Sequence, residues 1–425
     1  MLRTNYYRND IFANLLIIKS NSFKVEKKLV HGLKANLPQF LTLVLVNAFV
    51  GGMIGLERTI FPEYAEKQFG IESSTAFLTF IIAFGITKAI ANYFTGRLSN
   101  KLGRKKLLII GWLFAIPVPL MLIYANHWYF VVLANVFLGI NQGLAWSSTV
   151  IMKIDLVGQK ERGLAMGFNE AAGYLAVGVI AFFTGYIASE YGVTPYPFYL
   201  GVVISLSGLI LSVFFVRDTT QYSEIEKIDQ DTSHQENIFL ETSFKDKTLS
   251  SVTQAGLVNN LNDGMIWGLI PALLFSLKYE SAQIGIVTAL YPAIWGIGQL
   301  ATGRMADIYS RKAMLTYGMV LQGVVIILFS LVSSFSLFIV LSILLGVGTA
   351  LVYPTFLTTI ANNTRPLQRA ESVGVFRLWR DMGYAAGALL SGIISDLLGM
   401  HYAILSIGIL TVVSGLIIKF RMPNQ

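Results

Sequence analysis

Asp263 is the residue in this sequence best suited to carrying a proton. It lies in an apolar stretch, 250–276, beside Asn259, Asn260 and Asn262, with no Lys or Arg within a helical turn. If the stretch is helical, Asn259, Asp263 and Trp267 share one stripe. At 1.5 Å per residue, Asp263 sits about 20 Å in from residue 250. Burial disfavours the charged form of a carboxyl group, so a carboxyl held there can take up and release a proton. Asn259 and Asn262 are expected to donate hydrogen bonds to its ionised form. The alternative is a structural aspartate whose hydrogen bonds interrupt the helix.

Other charges fall in equally apolar surroundings. Each costs at least about 2.5–3.5 kcal/mol there unless it finds a partner or a cavity. Arg377, Arg380 and Asp381 crowd into one stretch, and Lys88 stands alone in another. Arg377 and Asp381 can pair locally at i, i+4. Glu57 and Arg58 end the first apolar stretch and are followed by Pro62. At about 28 Å along that stretch they are expected among the outer headgroups as an interfacial ion pair; the other reading makes Glu57 the second candidate for proton coupling. Glu170 is the third. It can pair near a gate or stabilise the positive end of its helix.

A polar wall can be drawn from Asn135, Gln142 and Trp146, which share a helical stripe with Gly139. With Asn47, Asn141, Asn259 and Trp267 they suit a cavity for a small organic solute bearing a ring or a cation. The same amides can instead hold helices together. The chain has no cysteine, and its four histidines show no ligand spacing. No Gly-Lys-Ser/Thr phosphate loop occurs. Neither metal nor cofactor is expected, and no catalytic residue is assigned.

The elements that must position these residues follow from composition. The 425 residues are 54% hydrophobic and 13% charged, with a mean hydropathy of +0.61; soluble domains carry about 25% charge. Such a chain needs the lipid bilayer as its solvent. Twelve stretches are long enough to cross as helices, roughly 38–60, 73–95, 106–124, 128–151, 164–188, 195–216, 250–276, 281–302, 313–333, 336–361, 371–397 and 401–420. Of the 32 Lys and Arg, 26 fall on one side, three on the other and three within spans. Positive charge gathers on the cytoplasmic side, so both termini are expected in the cytoplasm of a cell (plasma) membrane protein. The net charge of +8 then reports topology and not nucleic-acid binding. Residues 1–37 form a basic cytoplasmic tail, with no cleavage site that would make it a signal peptide. Residues 38–216 and 250–425 form two six-helix bundles. Residues 217–249 form a polar, mobile cytoplasmic linker between them.

The two bundles repeat each other. Gly96-Arg97-Leu98-Ser99-Asn100-Lys101-Leu102-Gly103-Arg104-Lys105 reappears 207 residues later as Gly303-Arg304-Met305-Ala306-Asp307-Ile308-Tyr309-Ser310-Arg311-Lys312. At the same offset Gly111 matches Gly318, Gly139 matches Gly346, Gly167 matches Gly374, Gly185 matches Gly392 and Gly192 matches Gly399. Six spans plus six with equal topology imply an axis along the membrane normal.

The basic loops resemble the signature of the major facilitator superfamily, Gly-x-x-x-Asp-(Arg/Lys)-x-Gly-Arg-(Arg/Lys) after spans 2 and 8, and the resemblance covers residues 38–420. Asn100 replaces the signature aspartate in the first copy, and Ser310 replaces the second glycine in the other. The resemblance implies that Gly96, Arg97, Asn100, Arg104, Gly303, Arg304, Asp307 and Arg311 latch a cytoplasmic gate. It also implies that spans 2 and 11 face each other across the bundles. Lys88 can then meet Asp381, beside Arg377 and Arg380, at the interface. Asn135 stands where many relatives have a proton-linked arginine. The glycine-proline motif of drug antiporters is only partial, with Gly173 and Gly178 but no following proline.

These readings converge on a secondary transporter with a midplane site and alternating access. Its partners are a small-molecule substrate, protons and lipid, and it acts as a monomer. Proton-coupled efflux comes first, with proton-coupled uptake the alternative. From other classes, the rivals are a membrane sensor that binds a solute without moving it and an integral membrane enzyme. A linker of about 33 residues is too short for a folded signalling module, and no catalytic constellation is visible.

Overall fold

The computed structural model describes residues 30–158, 162–222, 237–364 and 366–424, with no strand among them. Most of the expected tail and the middle of the expected linker lie outside the described residues. Twelve long helical bodies run in chain order. They are α1 (Leu37–Arg58), α2 (Ser74–Leu102), α3 (Arg104–Ile123), α4 (Trp128–Val157), α5 (Arg162–Tyr191) and α6 (Tyr196–Phe214), then α7 (Lys247–Ser276), α8 (Ser281–Ile308), α9 (Arg311–Phe329), α10 (Phe335–Asn362), α11 (Pro366–Leu398) and α12 (Met400–Arg421). The protein is an all-α, multi-pass membrane protein. In lipid, helices satisfy every backbone polar group internally. Ten of the twelve are long and apolar enough to span. The other two, α7 and α11, run 30 and 33 residues but are too polar to qualify. They carry Asp263 and the Arg377–Asp381 cluster, so the two least apolar helices hold the residues of most chemical interest.

Local sequence sets where helices begin. Ser73 caps α2 by accepting from the Ala76 N–H, Asp246 caps α7 through Leu249, and Ser310 caps α9 through Ala313. Glu280 and Gln283 form a reciprocal capping box at α8. A single π turn, Gln142–Trp146, interrupts α4 and resets the direction in which Trp146 points. Between α1 and α2 a short helix, Phe61–Phe69, lies on the end of the first bundle. It packs Phe61 and Tyr64 into the core.

Each bundle uses the same helix pairings. α1 packs on α5 as α7 does on α11; α2 packs on α4 as α8 does on α10; α3 packs on α6 as α9 does on α12. The bundles join through α2 against α11 and α5 against α8, pairs that exchange under a shift of six helices. Three of the repeated glycine pairs, Gly111/Gly318, Gly139/Gly346 and Gly185/Gly392, sit at helix crossings. A Cβ at Gly139 would lie 2.8 Å from the Phe84 carbonyl oxygen, and one at Gly346 would lie 2.8 Å from that of Tyr291. Phe84 and Tyr291 are themselves 207 residues apart, so the repeat holds at the level of individual contacts. Small residues allow such approach in membranes.

Candidate functional site

The bundles are sealed at the end opposite the basic loops. Asp396, near the end of α11, accepts from the Ser73 hydroxyl at 2.8 Å and from the Ser74 and Thr75 backbone N–H groups at 2.6 and 3.0 Å. A carboxylate thus caps the positive end of α2 from the other bundle. The Ser74 and Ser395 hydroxyls lie 2.8 Å apart. Along the second seam, Thr59 meets Thr288 at 2.9 Å and the Ser281 hydroxyl donates to Glu63 at 2.5 Å. A Cβ at Gly185 would lie 2.6 Å from the Ser281 carbonyl oxygen, and one at Gly392 would lie 2.9 Å from the Thr75 backbone. Near the basic-loop ends of α5, α8 and α11 the picture reverses. Gly167, Gly303 and Gly374 each face open space. Hydrogen bonds and close backbone approaches thus tie the bundles at one end, whereas these glycines make no such approach at the other.

Asp263 lies between these ends and is fully buried. The Tyr291 hydroxyl donates to its Oδ1 at 2.5 Å and lies 3.3 Å from the Thr349 hydroxyl; its Oδ2 has no partner. Tyr291 stands ten residues into α8, about 15 Å from the sealed end. That is half of a hydrocarbon core of about 30 Å. The expected amide donors are corrected here. Asn259 turns to Asn260 at 3.4 Å, and Asn262 bonds to Gln322 and Thr411. Asn259 is thus engaged within α7 and Asn262 by α9 and α12, whereas Tyr291 reaches Asp263 from α8.

Arg58 is not in the headgroups. It is 3% exposed and Glu57 1% exposed, with the Phe84 and Trp267 rings packed near the guanidinium. Asn135 donates to Glu57 at 3.2 Å, and Glu57 Oε2 has no partner. Arg58 makes no ion pair within 4 Å among the described residues; its guanidinium lies 4.0 Å over the Trp267 ring. Trp267 stacks on Tyr384 at 5.0 Å, and the Lys88 ammonium lies 4.9 Å from the same tyrosine's ring centroid. A column therefore forms in which two stacked rings of the second bundle, Trp267 and Tyr384, lie between two cations of the first, Arg58 and Lys88, and it passes one turn from Asp263. Cations over aromatic faces gain about 2 kcal/mol or more when desolvated.

Toward the basic-loop end lies a small chamber walled by Lys88, Asn92, Trp146, Ser147, Tyr174, Tyr353, Arg377 and Arg380. Arg380 is fixed by Asn260, Tyr353 and Tyr174 at 3.1–3.2 Å. Asp381 accepts from Asn92 at 2.5 Å and from Asn260 at 3.5 Å, and stands 4.0 Å from Arg380. Neither pairing expected for it is present. Arg377 instead reaches Ser147 at 3.4 Å, and Lys88 makes no ion pair or hydrogen bond among the described residues. Asn92, four residues along α2 from Lys88, takes the place expected for the lysine. Glu170 accepts from the Trp146 indole at 2.9 Å and from Asn169 at 3.0 Å.

Four amides expected on the cavity wall are corrected as well. Asn47 bonds to the Asn169 carbonyl and Thr149, Asn141 to the Gly111 carbonyl, Gln142 to the Val50 carbonyl, and Asn135 to Glu57. All four are fully buried and tie helices of one bundle together. Of that stripe only Trp146 reaches the chamber, re-aimed by the π turn.

At the basic loops, Arg104 pairs with Asp155 at 2.5 Å, and the Thr219 hydroxyl donates to the same carboxylate at 2.7 Å. Asp218 accepts from the Lys105 N–H at 2.8 Å. Burial pushes the Asp218 carboxyl up, but hydrogen bonds from Thr220 and the Lys105 N–H, with the Arg104 charge, outweigh it and hold the group below its ordinary range. Arg304 is exposed and Arg311 half-buried. The side chains of Gly96, Arg97, Asn100 and Asp307 lie outside the described residues.

Sequence reasoning missed Asn92, Ser147, Tyr174, Tyr291, Tyr353 and Tyr384, all of which touch this centre. Lone tyrosines in apolar stretches look like ordinary bulk; only facing helices reveal them as one wall. It also placed Lys153 in a loop. Lys153 is fully buried in α4 and donates to the Leu43 carbonyl at 3.1 Å.

A sequence profile described as Major Facilitator Superfamily matches residues 43–250 and 252–425. The chain is 23% identical over 382 residues to Multidrug resistance protein 2 of Bacillus subtilis (strain 168), covering 87% of this chain and 92% of the relative. It is 24% identical over 378 residues to Multidrug resistance protein MdtG of Citrobacter koseri, covering 86% and 90%. Among solved structures it resembles that of the human organic anion transporter MFSD10 (TETRAN), with a TM-score of 0.66 and 15% identity, over 90% of this chain and 99% of the other.

Proposed function

The chain belongs to the Major Facilitator Superfamily, and on that footing we propose that it exports a small organic solute from the cytoplasm in exchange for protons, with Asp263 as the proton carrier. It is a transporter and not an enzyme. The observation that carries the proton assignment is the Asp263 carboxyl itself. It is fully buried near mid-depth, has one oxygen on Tyr291 and the other unpartnered, and has no ion pair within 4 Å among the described residues. A carboxyl so placed changes charge state at moderate cost, whereas Asp381 is tied on both oxygens. Glu57 and Glu170 stand behind it, each bonded through one oxygen to a fixed amide or indole.

The two sequence relatives, both named for multidrug resistance, support export over uptake. The excess of Lys and Arg on the basic-loop side supports placing that side and both termini in the cytoplasm of the plasma membrane. The structure is then the inward-facing member of an alternating pair. Solute enters the chamber from the cytoplasm, the basic-loop ends of α5, α8 and α11 converge, and the Asp396 seal opens. Protonation of Asp263 from outside and its release inside reset the cycle.

The test uses proteoliposomes holding a pH-sensitive dye. With a pH gradient imposed, a transported solute dissipates the gradient only where the protein is present. A solute that moves without any proton movement would contradict proton coupling.

A further inference from the structure

We propose that the chamber on the basic-loop side is a binding site for an aromatic organic anion, with a carboxylate or sulfonate on Lys88 and Arg377 and a ring against Trp146 and Tyr174. This rests on the transport reading and names the substrate class for it. Three cations and no carboxylate line the chamber. Arg380 is already engaged through each of its three nitrogens, by Asn260, Tyr353 and Tyr174, and serves to fix the two tyrosines.

The other two cations are open. Lys88 is 6% exposed, and among the described residues its ammonium meets only the faces of Phe84, Trp146 and Tyr384, at 5.4, 5.8 and 4.9 Å. Ring faces hold an ammonium without supplying a counter-charge. Arg377 has one long hydrogen bond, 3.4 Å to Ser147. The neighbouring carboxylates are turned elsewhere. Asp381 is taken by Asn92 and Asn260, and Glu170 holds the back of the Trp146 indole and Asn169. A buried ammonium with no carboxylate within 4 Å among the described residues has room for an anionic partner from a ligand. The guanidinium beside it suits a planar carboxylate through two parallel hydrogen bonds.

The aromatic half of the site is equally specific. Trp146 and Tyr174 lie 5.2 Å apart, and Tyr174 stacks on Trp295 at 3.5 Å. The tyrosine hydroxyl is held by Arg380, so its ring is fixed before a ligand arrives. Rigid rings bind flat ligands with little loss of conformational freedom.

The experiment compares three probes of one shape on detergent-solubilised wild-type protein: 2-naphthoate, 2-naphthamide and 2-naphthylmethylammonium. Calorimetry and thermal shift should show binding of the naphthoate, with the amide and the ammonium weaker by at least about tenfold in Kd. Lys88→Met should weaken naphthoate binding by a similar factor, while Lys88→Arg should retain it. The ligand series on wild-type protein needs no variant, so misfolding of Lys88→Met leaves the test intact. Equal binding of all three probes, a preference for the ammonium, or no naphthoate binding at millimolar concentration would overturn the proposal. Charge-selective naphthoate binding without transport would break the transport reading alone; export of a cation without naphthoate binding would break this one alone.

Discussion

Removing the Asp396 carboxylate should unseal the end opposite the basic loops. In Asp396→Ala the first turn of α2 loses three hydrogen bonds, from Ser73, Ser74 and Thr75, and the carboxylate that capped its positive end. Bonds to a charged acceptor are worth about 1.5–3 kcal/mol when buried. Asp396 is exposed, so solvent screening reduces each to about 0.5–1 kcal/mol, or about 2 kcal/mol together. That shifts the equilibrium between forms closed and open at that end about 30-fold. A molecule resting closed by about 30 to 1 would come to parity. The chain has no cysteine, so spin labels can be placed without background. Tyr129 and Leu331 are exposed near that end of the two bundles, and Leu102 and Tyr309 near the basic-loop ends. Electron–electron distance measurements should show the Tyr129–Leu331 distribution gaining a longer component in Asp396→Ala, and the Leu102–Tyr309 distribution a shorter one. Unchanged distributions in both pairs would refute the role of this cap as a seal.

Gly185→Val should act in the same direction more strongly, since its side chain would meet the Ser281 carbonyl; the same distances check it, and a wild-type distribution would contradict the close approach. Arg104→Met should lower the melting temperature by the equivalent of about 1.5–3 kcal/mol, because the half-buried Asp155 carboxylate loses a charged hydrogen-bond partner; an unchanged melting point would remove that pair from the account. Asn92→Ala and Asp381→Leu should couple by about 1–3 kcal/mol in a double-mutant cycle, and additive losses would return Asp381 to another partner. Asp218 is held below its ordinary range, so it stabilises the folded form above its unfolded pKa and loses that contribution as pH falls. The melting-point advantage of wild type over Asp218→Asn should therefore be present at neutral pH and vanish on acidification; an advantage that persists in acid would contradict it.

The helices and the repeat are legible in the sequence because apolar length and glycine spacing are properties of one chain segment at a time. The 207-residue spacing alone puts Gly139 and Gly346, or Gly185 and Gly392, at equivalent crossings of the two bundles. Asp263 is legible for the same reason, as a lone carboxyl in an apolar helix. Its donor is not, since Tyr291 comes from the next helix and nothing local marks it. Arg58 escapes the sequence reading because rise per residue counts distance along a helix but not the rings of other helices, Phe84 and Trp267, that pack over its end. The amides of span 4 line one stripe only on an unbroken helix, whereas a π turn separates Trp146 from Asn135 and Gln142. Lys88 lies at the seam of the two bundles, but whether it meets a carboxylate or a cage of rings depends on one turn of α2, where Asn92 takes Asp381.

The most direct test of proton coupling through Asp263 is transport by Asp263→Asn in proteoliposomes, with the solute identified by dye dissipation. The amide keeps the shape of the carboxyl and can still accept from Tyr291, but it cannot titrate. The variant should bind the solute and exchange labelled for unlabelled solute across the membrane, while failing to build a concentration difference from an imposed pH gradient. Proton-driven accumulation at the wild-type level in Asp263→Asn would contradict the assignment and move the coupling site to Glu57 or Glu170.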